Sequence, residues 1–403
     1  MKRLLVQILF AALICPCALS TDQSNSNPDR AHALELYHQG KMVDAMPLLE
    51  KLAADNPKDV VVIESWGVAV LNYAQTLTDS DLRKKARVRA RSILLSAQAL
   101  GDTSDLLQTL LRNLPEDGTF SAYSDKKEVD AAMQQAEADF ARGDLDKARQ
   151  GYMRAYLLDP KAYYAALFIG DTFFKQQQPV FAAEWFANAI QINPDIETAY
   201  RYWGDVLLGQ GKLEEARSKY IEAIVADPYN RSSWNGLNNW VTRTKLRLNW
   251  VRIKDRVAVE LKDGNTNVTV DSSIPKEDHV LMASWLAYGM SRSLWMREKF
   301  VKEYPGETSY RHSLKEETES LNLLLTIAKE AATKQKADLT GTDLGGLVQI
   351  NEAGFLEPFV LLNRADSGIA RDYAAYRAAN RDKIRDYLTR FVVPEAPPQA
   401  ASN

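Results

Sequence analysis

Between residues 129 and 243 apolar positions return at helical spacing, and the whole pattern repeats every 34 residues. Pro160, Pro194 and Pro228 mark the period, each following Asp or Asn. Within it, Ala136, Gly170 and Gly204 keep one helix face small, and Gly143, Gln177 and Gly211 end that helix. On the next helix come Ala148, Ala182 and Ala216, then Tyr152, Phe186 and Tyr220, then Ala155, Ala189 and Ala223. Such a period predicts two antiparallel helices per unit. Small residues let the helices approach, the aromatic fills the space between them, and Pro closes the second helix.

The pattern weakens on either side. Ala33, Gly40, Ala45, Leu49, Leu52 and Asn56-Pro57 outline one unit over 26–59. A second begins at Trp66-Gly67 and resumes at Ala90, Leu94 and Ala97, which leaves about eleven residues over between its helices. Leu114 to Ser124 reads as a loop. Past residue 243 the periodicity changes. Val251, Ile253, Val257, Val259 and Leu261 alternate with polar residues, and Val268 and Val270 do so after Asp263-Gly264-Asn265. This predicts a β-hairpin. Helical patterns follow over 279–304, 312–336, 355–362 and 366–392. Gly341 to Gly346 reads as a flexible turn, and the Pro-rich end as disordered. The expected organisation is therefore a leader at 1–20, degenerate helical repeats at 21–113 and a loop at 114–128. Three units plus a capping helix follow at 129–243, then an α-rich region with the hairpin at 244–393 and a tail at 394–403.

The repeated positions at 129–243 resemble the tetratricopeptide repeat (TPR) family. The resemblance implies an all-α fold, a TPR helical-hairpin superhelix or solenoid whose first helices line a concave groove. It places Tyr164, Leu167, Asp171, Phe174 and Lys175 on that groove, then Thr198, Arg201, Asp205 and Leu208, then Ser232, Asn235, Asn239, Thr242 and Arg243. The Lys/Asn/Arg set with which some family members hold a peptide carboxylate is missing, because Asp171 and Asp205 stand where it would need Asn or a base. An extended segment with an aromatic or basic anchor suits these side chains better, with Asn235 and Asn239 able to pair with backbone amides.

Composition adds limits. Lys2 and Arg3 lead an apolar run, Leu4 to Ile14, closed by Ala18-Leu19-Ser20, the form of a cleaved secretory leader. The two cysteines, Cys15 and Cys17, both lie in it, so a chain cut after Ser20 has no thiol chemistry, and Ile14 and Pro16 are poor neighbours for lipid attachment. A formal net charge of −3 gives no electrostatic pull toward nucleic acid. The basic run Arg83, Lys84, Lys85, Arg87, Arg89, Arg91 reads as a solvated helix surface, and Trp285, Tyr288, Trp295 and Phe300 as core. Among four histidines, His312 and Glu316 stand four apart but read as an exposed polar pair; two ligands do not close a metal site. Glu277-Asp278-His279 suits a helix start.

These readings converge on an exported, periplasmic or secreted, non-catalytic scaffold that binds a protein or peptide partner in its groove, in the setting of envelope complex assembly. It would use no cofactor, no metal and no nucleic acid. The rivals are an enzyme built on Glu277, Asp278 and Glu352 of the C-terminal region, and an assembly subunit anchored at the membrane.

Overall fold

The computed structural model describes residues 27–77, 79–118, 123–262, 265–275, 278–336, 338–339 and 342–396. The leader and the chain's last residues lie outside these. The chain divides into two compact units, one ending at Asn193 and the other beginning at Pro194.

The first unit is helical. In order it holds α1 (Pro28–His38), α2 (Met42–Asp55), α3 (Val60–Thr76), α4 (Ser80–Ala99), α5 (Asp105–Asn113), α6 (Lys127–Ala141), α7 (Leu145–Leu158), α8 (Tyr163–Lys175) and α9 (Pro179–Ile192). Several helix starts are written in short polar side chains that accept the first free amides. Asn27 takes those of Asp29 and Arg30, Asp59 that of Val62, and Ser104 that of Leu107. Ends are set by left-handed residues: Gly40 (φ 77°) after α1 and Gly143 (φ 85°) after α6. At the equivalent place after α8 stands Gln177, which adopts φ 58° despite its side chain.

Two differences from the sequence pattern have simple causes. The surplus residues of the second degenerate unit lie inside its helices, not between them, since α3 and α4 run to 17 and 20 residues with only a short turn between. The basic run on α4 is also not all solvated. Arg83 and Arg87 are buried, Arg83 donating to the Leu77 carbonyl (3.0 Å) and to Gln134 (2.9 Å). Arg91 reaches the carbonyls of Leu111 and Leu114, both at 2.8 Å. Arg83 and Arg91 thus satisfy carbonyls at the C-terminal ends of α3 and α5, which the helices themselves leave unpaired. Burial pulls the Arg87 guanidinium down to about 10, with neighbouring Arg83 adding to the fall.

The second unit begins with α10 (Glu197–Gly209), α11 (Leu213–Ala226) and α12 (Arg231–Thr244). An antiparallel hairpin, β1 (Val257–Lys262) with β2 (Asn265–Val270), pairs Val257 with Val270 and Val259 with Val268. The strand starts at Val257, not at Val251: Val251 and Ile253 lie in an extended lead-in and pack on the hydrophobic core. Next come α13 (His279–Leu294), prolonged through one π turn at Trp295–Lys299 into α14 (Phe300–Glu303), then α15 (Leu314–Gln335), α16 (Asp343–Glu352) and α17 (Leu356–Asn363). A 3-10 turn at Ile369–Asp372 leads into α18 (Tyr373–Tyr387) and a closing π turn at Leu388–Val392. Gly345 and Gly346 are helical rather than part of a flexible turn, because Thr342 caps α16 by accepting from the Gly345 amide. Trp285, Tyr288, Trp295 and Phe300 are all buried. One hydrophobic cluster joins the repeat residues Tyr220, Leu237 and Trp240 to Trp285, Leu324, Phe359, Tyr387 and Val393, so α10–α12 fold against the C-terminal helices.

Arginines fasten that packing. Arg217 on α11 donates to the carbonyls of Thr389 (3.1 Å) and Val393 (2.7 Å). Arg381 of α18 meets Asp195, Glu222 and the Pro194 carbonyl, and Arg377 pairs with Asp195 at 2.8 Å. Ala396 donates its amide to Glu214, so this much of the expected tail is held; the rest lies outside the described residues.

Candidate functional site

Each repeat is closed by steric contact between a small residue and an aromatic ring. A Cβ added to Gly170 would stand 2.6 Å from the Phe186 ring, and one added to Gly204 or Gly236 2.5 or 2.3 Å from the Tyr220 ring. Gly151 lies as close to Ala136. This fit sets how the first helices turn their remaining faces outward, and so which groove positions are available.

In the first unit the face of α8 is largely aromatic. Tyr164 is half-buried, with the Phe168 ring at 5.9 Å and that of Tyr123, from the segment before α6, at 6.5 Å. The chain's own Tyr123 thus covers one of the expected groove residues. Leu167 is fully buried, Asp171 half-buried, and Phe174 and Lys175 are exposed at the end of the helix. Behind this face, Glu137 of α6 accepts a 2.5 Å hydrogen bond from the Tyr152 hydroxyl of α7. Burial drives the Glu137 carboxyl up to about 7, against the opposing effect of the Tyr152 bond.

In the second unit the corresponding residues turn inward. Arg201 is buried and pairs with Glu197 (3.3 Å), which also accepts from Thr198 (3.0 Å) and Asn230 (3.3 Å). The guanidinium lies 4.7 Å from the Tyr202 ring centre. Burial works to lower the arginine's pKa, but Glu197, Tyr202 and Asp205 together outweigh it and the net shift is upward. Asp205 accepts from the Tyr220 hydroxyl at 2.8 Å, and burial raises its carboxyl. Leu208 is half-buried. Asn235, Asn239, Thr242 and Arg243 are exposed along α12, while Ser232 takes part in the Asn230 cap. Of the expected groove residues, then, Phe174, Lys175, Asn235, Asn239, Thr242 and Arg243 are exposed. Thr198, Arg201 and Asp205 hold their own helices.

Sequence reasoning passed over the carboxylate–tyrosine bond, although its signal was present. Glu137, Asp171 and Asp205 share one position of the period, and Tyr152 and Tyr220 share another 15 residues on. In the middle unit that place is Phe186, which has no hydroxyl to give.

A second polar cluster lies in the C-terminal region. Glu316 and Glu317 are completely buried. Arg292 pairs with Glu316 (2.6 Å), and Arg364 with Glu317 (2.6 Å). Tyr310 donates to Glu316 (2.8 Å) and Tyr288 to Glu317 (2.7 Å). His312 sets Nε2 3.1 Å from Glu317 and Nδ1 2.9 Å from Asp366. The His312–Glu316 pair read from spacing is thus neither exposed nor a pair, because Ser313 caps the helix between them and Glu316 turns to Arg292. Burial alone would raise the Glu317 carboxyl. The His312 hydrogen bond and the charges of Arg364, His312 and Arg292 overcome it and bring it down to about 2. Of the suspected acidic residues, Asp278 caps α13 and Glu352 is an exposed partner of Lys329; Glu277 lies outside the described residues.

The fold is all-α, built of paired helices with a small two-stranded hairpin in its C-terminal region. Residues 133–195 match the tetratricopeptide repeat family. The chain carries tetratricopeptide repeats. A stretch of 236 residues, 51% of the chain, is 29% identical to the cellulose synthase 2 operon protein C of Komagataeibacter xylinus. That stretch spans only 18% of the relative's length. Among solved structures, the first TPR of Spaghetti bound to an HSP90 peptide is 20% identical, with 30% of this chain and 98% of that one covered, at a TM-score of 0.28. YrrB, a TPR protein with an unusual peptide-binding site, is 13% identical, with 52% and 91% covered, at 0.27. No described helix is long and apolar enough to cross a membrane.

Proposed function

We propose that this chain is an exported, non-catalytic scaffold that holds an extended segment of a protein partner on the first-helix faces of its repeats. The observation that carries the reading is the division of labour in the repeat. Second-helix rings and buried ion pairs fix the first helices from behind. What remains outward is Phe174 on α8 in the first unit and, separately, Asn235 and Asn239 on α12 in the second. Each of these faces by itself suits an extended backbone: Phe174 offers an aromatic edge, and Asn235 and Asn239 can pair with amides and carbonyls in either polarity. Export rests on the leader pattern at 1–20.

The test is selection of extended peptides from a displayed library on the full chain, followed by titration of the winners. Phe174→Ala and the pair Asn235→Ala with Asn239→Ala should each weaken binding about tenfold or more while leaving the thermal melt in place. Winners that bind all variants equally would remove these faces from the account. Mass spectrometry of the protein recovered from its cells tests export separately. A free amine on Thr21 supports it, and an intact Met1 in the cytoplasm argues against it.

A further inference from the structure

From Pro228 to Lys254 the chain holds no Asp or Glu, although acids outnumber bases over the whole sequence. The same stretch holds six cations, and the last five, Arg243, Lys245, Arg247, Arg252 and Lys254, are all exposed. The fold puts them there. After α12, Lys245 turns the chain with φ 58°, and an extended segment leads to β1. Leu246, Leu248 and Trp250 pack on the hydrophobic core, so Arg247 between them faces away from it. At Trp250 and Val251 the alternation slips by one residue. Ile253 then packs inward, and Arg252 and Lys254 take the outer side. Cations two apart on such a segment are about 7 Å from each other, within one Debye length at physiological salt. They repel, and the fold does little to answer them. Among the described residues only Lys254 of the five has an ion pair, with Asp271 at 3.3 Å. By contrast, Arg377 and Arg381 of α18 each meet a carboxylate.

We propose that this line binds an acidic, extended segment of a protein partner. The proposal rests on the reading of α12 as a partner-binding face and adds the chemistry of what binds there. Asn235, Asn239 and Arg243 stand at four-residue intervals on one side of α12, so the carboxamide row leads into the cations. A segment whose backbone is paired by the asparagines has to carry carboxylates where it passes Arg243 and runs on beside Arg247 and Arg252. An extended chain suits this line, since its own alternate side chains also repeat at about 7 Å. A membrane surface would be gripped by apolar side chains exposed among the cations, and here Leu246, Leu248 and Trp250 are turned to the core. Single-stranded nucleic acid would need exposed rings to stack on, and Trp234 and Trp250 are partly buried against each other.

The probe is a labelled peptide of alternating Glu and Thr, titrated by fluorescence anisotropy against the full chain. It should bind with an affinity that falls as salt rises. Arg247→Glu combined with Arg252→Glu should weaken it at least about tenfold with the thermal melt unchanged, since both side chains are exposed and neither has an ion pair among the described residues to lose. If that variant melts early, Arg247→Gln with Arg252→Gln carries the test, with a loss of several-fold. The α12 reading is separated by the pair Asn235→Ala with Asn239→Ala, tried against peptides selected on the wild-type chain. Selected peptides that are acidic and lose affinity in the arginine variants support the inference. Selected peptides that lose affinity in the asparagine variants alone overturn it and leave the α12 reading in place. Equal binding of the Glu-Thr peptide by wild type and both arginine variants overturns it too. So does tighter binding of phosphatidylserine vesicles or oligothymidylate to the same arginines.

Discussion

Two buried glutamates show how differently the repeats and the C-terminal region are built. Glu137 sits in the repeats with neutral tyrosine hydroxyls, Tyr152 foremost, as its donors, and burial pushes its carboxyl up to about 7. Glu317 sits among Arg364, Arg292 and His312, and its carboxyl is pulled down to about 2. Both are removed from water, which by itself opposes the charge. The difference is in the company. Around Glu137 the repeat is held by shape, small residue against ring, and burial disfavours the acid's charge, whereas a buried ion pair appears further along the repeats only at Arg201 and Glu197 among the described residues. The C-terminal helices are held by charge, and depend on every member of the cluster being present.

The largest test of this contrast is to remove one member. Arg364→Met leaves Glu317 with a charge it can no longer balance, and should destabilise the C-terminal region by roughly 3–5 kcal/mol in a denaturation curve of the full chain. Loss under 1 kcal/mol would mean that charge is not what holds these helices.

A second test sets the two glutamates against each other by pH. Glu317 has a folded pKa below its ordinary value of 4.5, so its contribution is complete above pH 4.5 and is lost as pH falls toward about 2. Glu137 has a folded pKa above 4.5, so its contribution is complete below pH 4.5 and is lost as pH rises through about 7. Each swing is worth roughly 3 kcal/mol. Hydrogen exchange should therefore show the C-terminal helices loosening in acid, and α6 and α7 loosening above neutrality. Both regions loosening at the same end of the scale would erase the distinction.

Smaller effects probe the steric side. Gly236→Ala drives a methyl into the Tyr220 ring and should cost about 1–3 kcal/mol in the same denaturation curve. Gln177→Gly should gain up to about 1 kcal/mol, because Gln177 holds φ 58° where the flanking units use Gly143 and Gly211. A stabilisation at Gln177 combined with a loss at Gly236 would show the repeat obeying backbone and packing rules that charge does not enter.

The same contrast explains what the sequence made legible. The repeat could be read because its rule is local: Gly204 and Tyr220 stand 16 apart and their relation recurs at each period. Helix ends at Gly143 and Gly211, and the hairpin of Val259 and Val268, follow from equally short-range chemistry. Surface chemistry was harder. Arg201 and Asp205 occupy groove positions by register, yet Glu197 and Tyr220 draw them inward, which the period does not encode. The C-terminal cluster was not legible at all. Arg364 and Glu317 are 47 residues apart, and nothing periodic announces their meeting. His312 and Glu316 suggested a pair by spacing, whereas the fold gave each a different partner.

The arginine ties between the last repeat and the chain's end have a further consequence. A stack of identical units has no built-in stopping point, and its last exposed face is a template for one more layer. Here that layer is supplied from within. Trp250 lies against Trp234 of α12, at 5.5 Å between rings, while Arg217 grips the backbone at Thr389 and Val393 beside α11. The series is terminated, so end-to-end growth of chains into a filament is blocked at this side. A second chain of the same kind finds no bare repeat face at this end on which to stack.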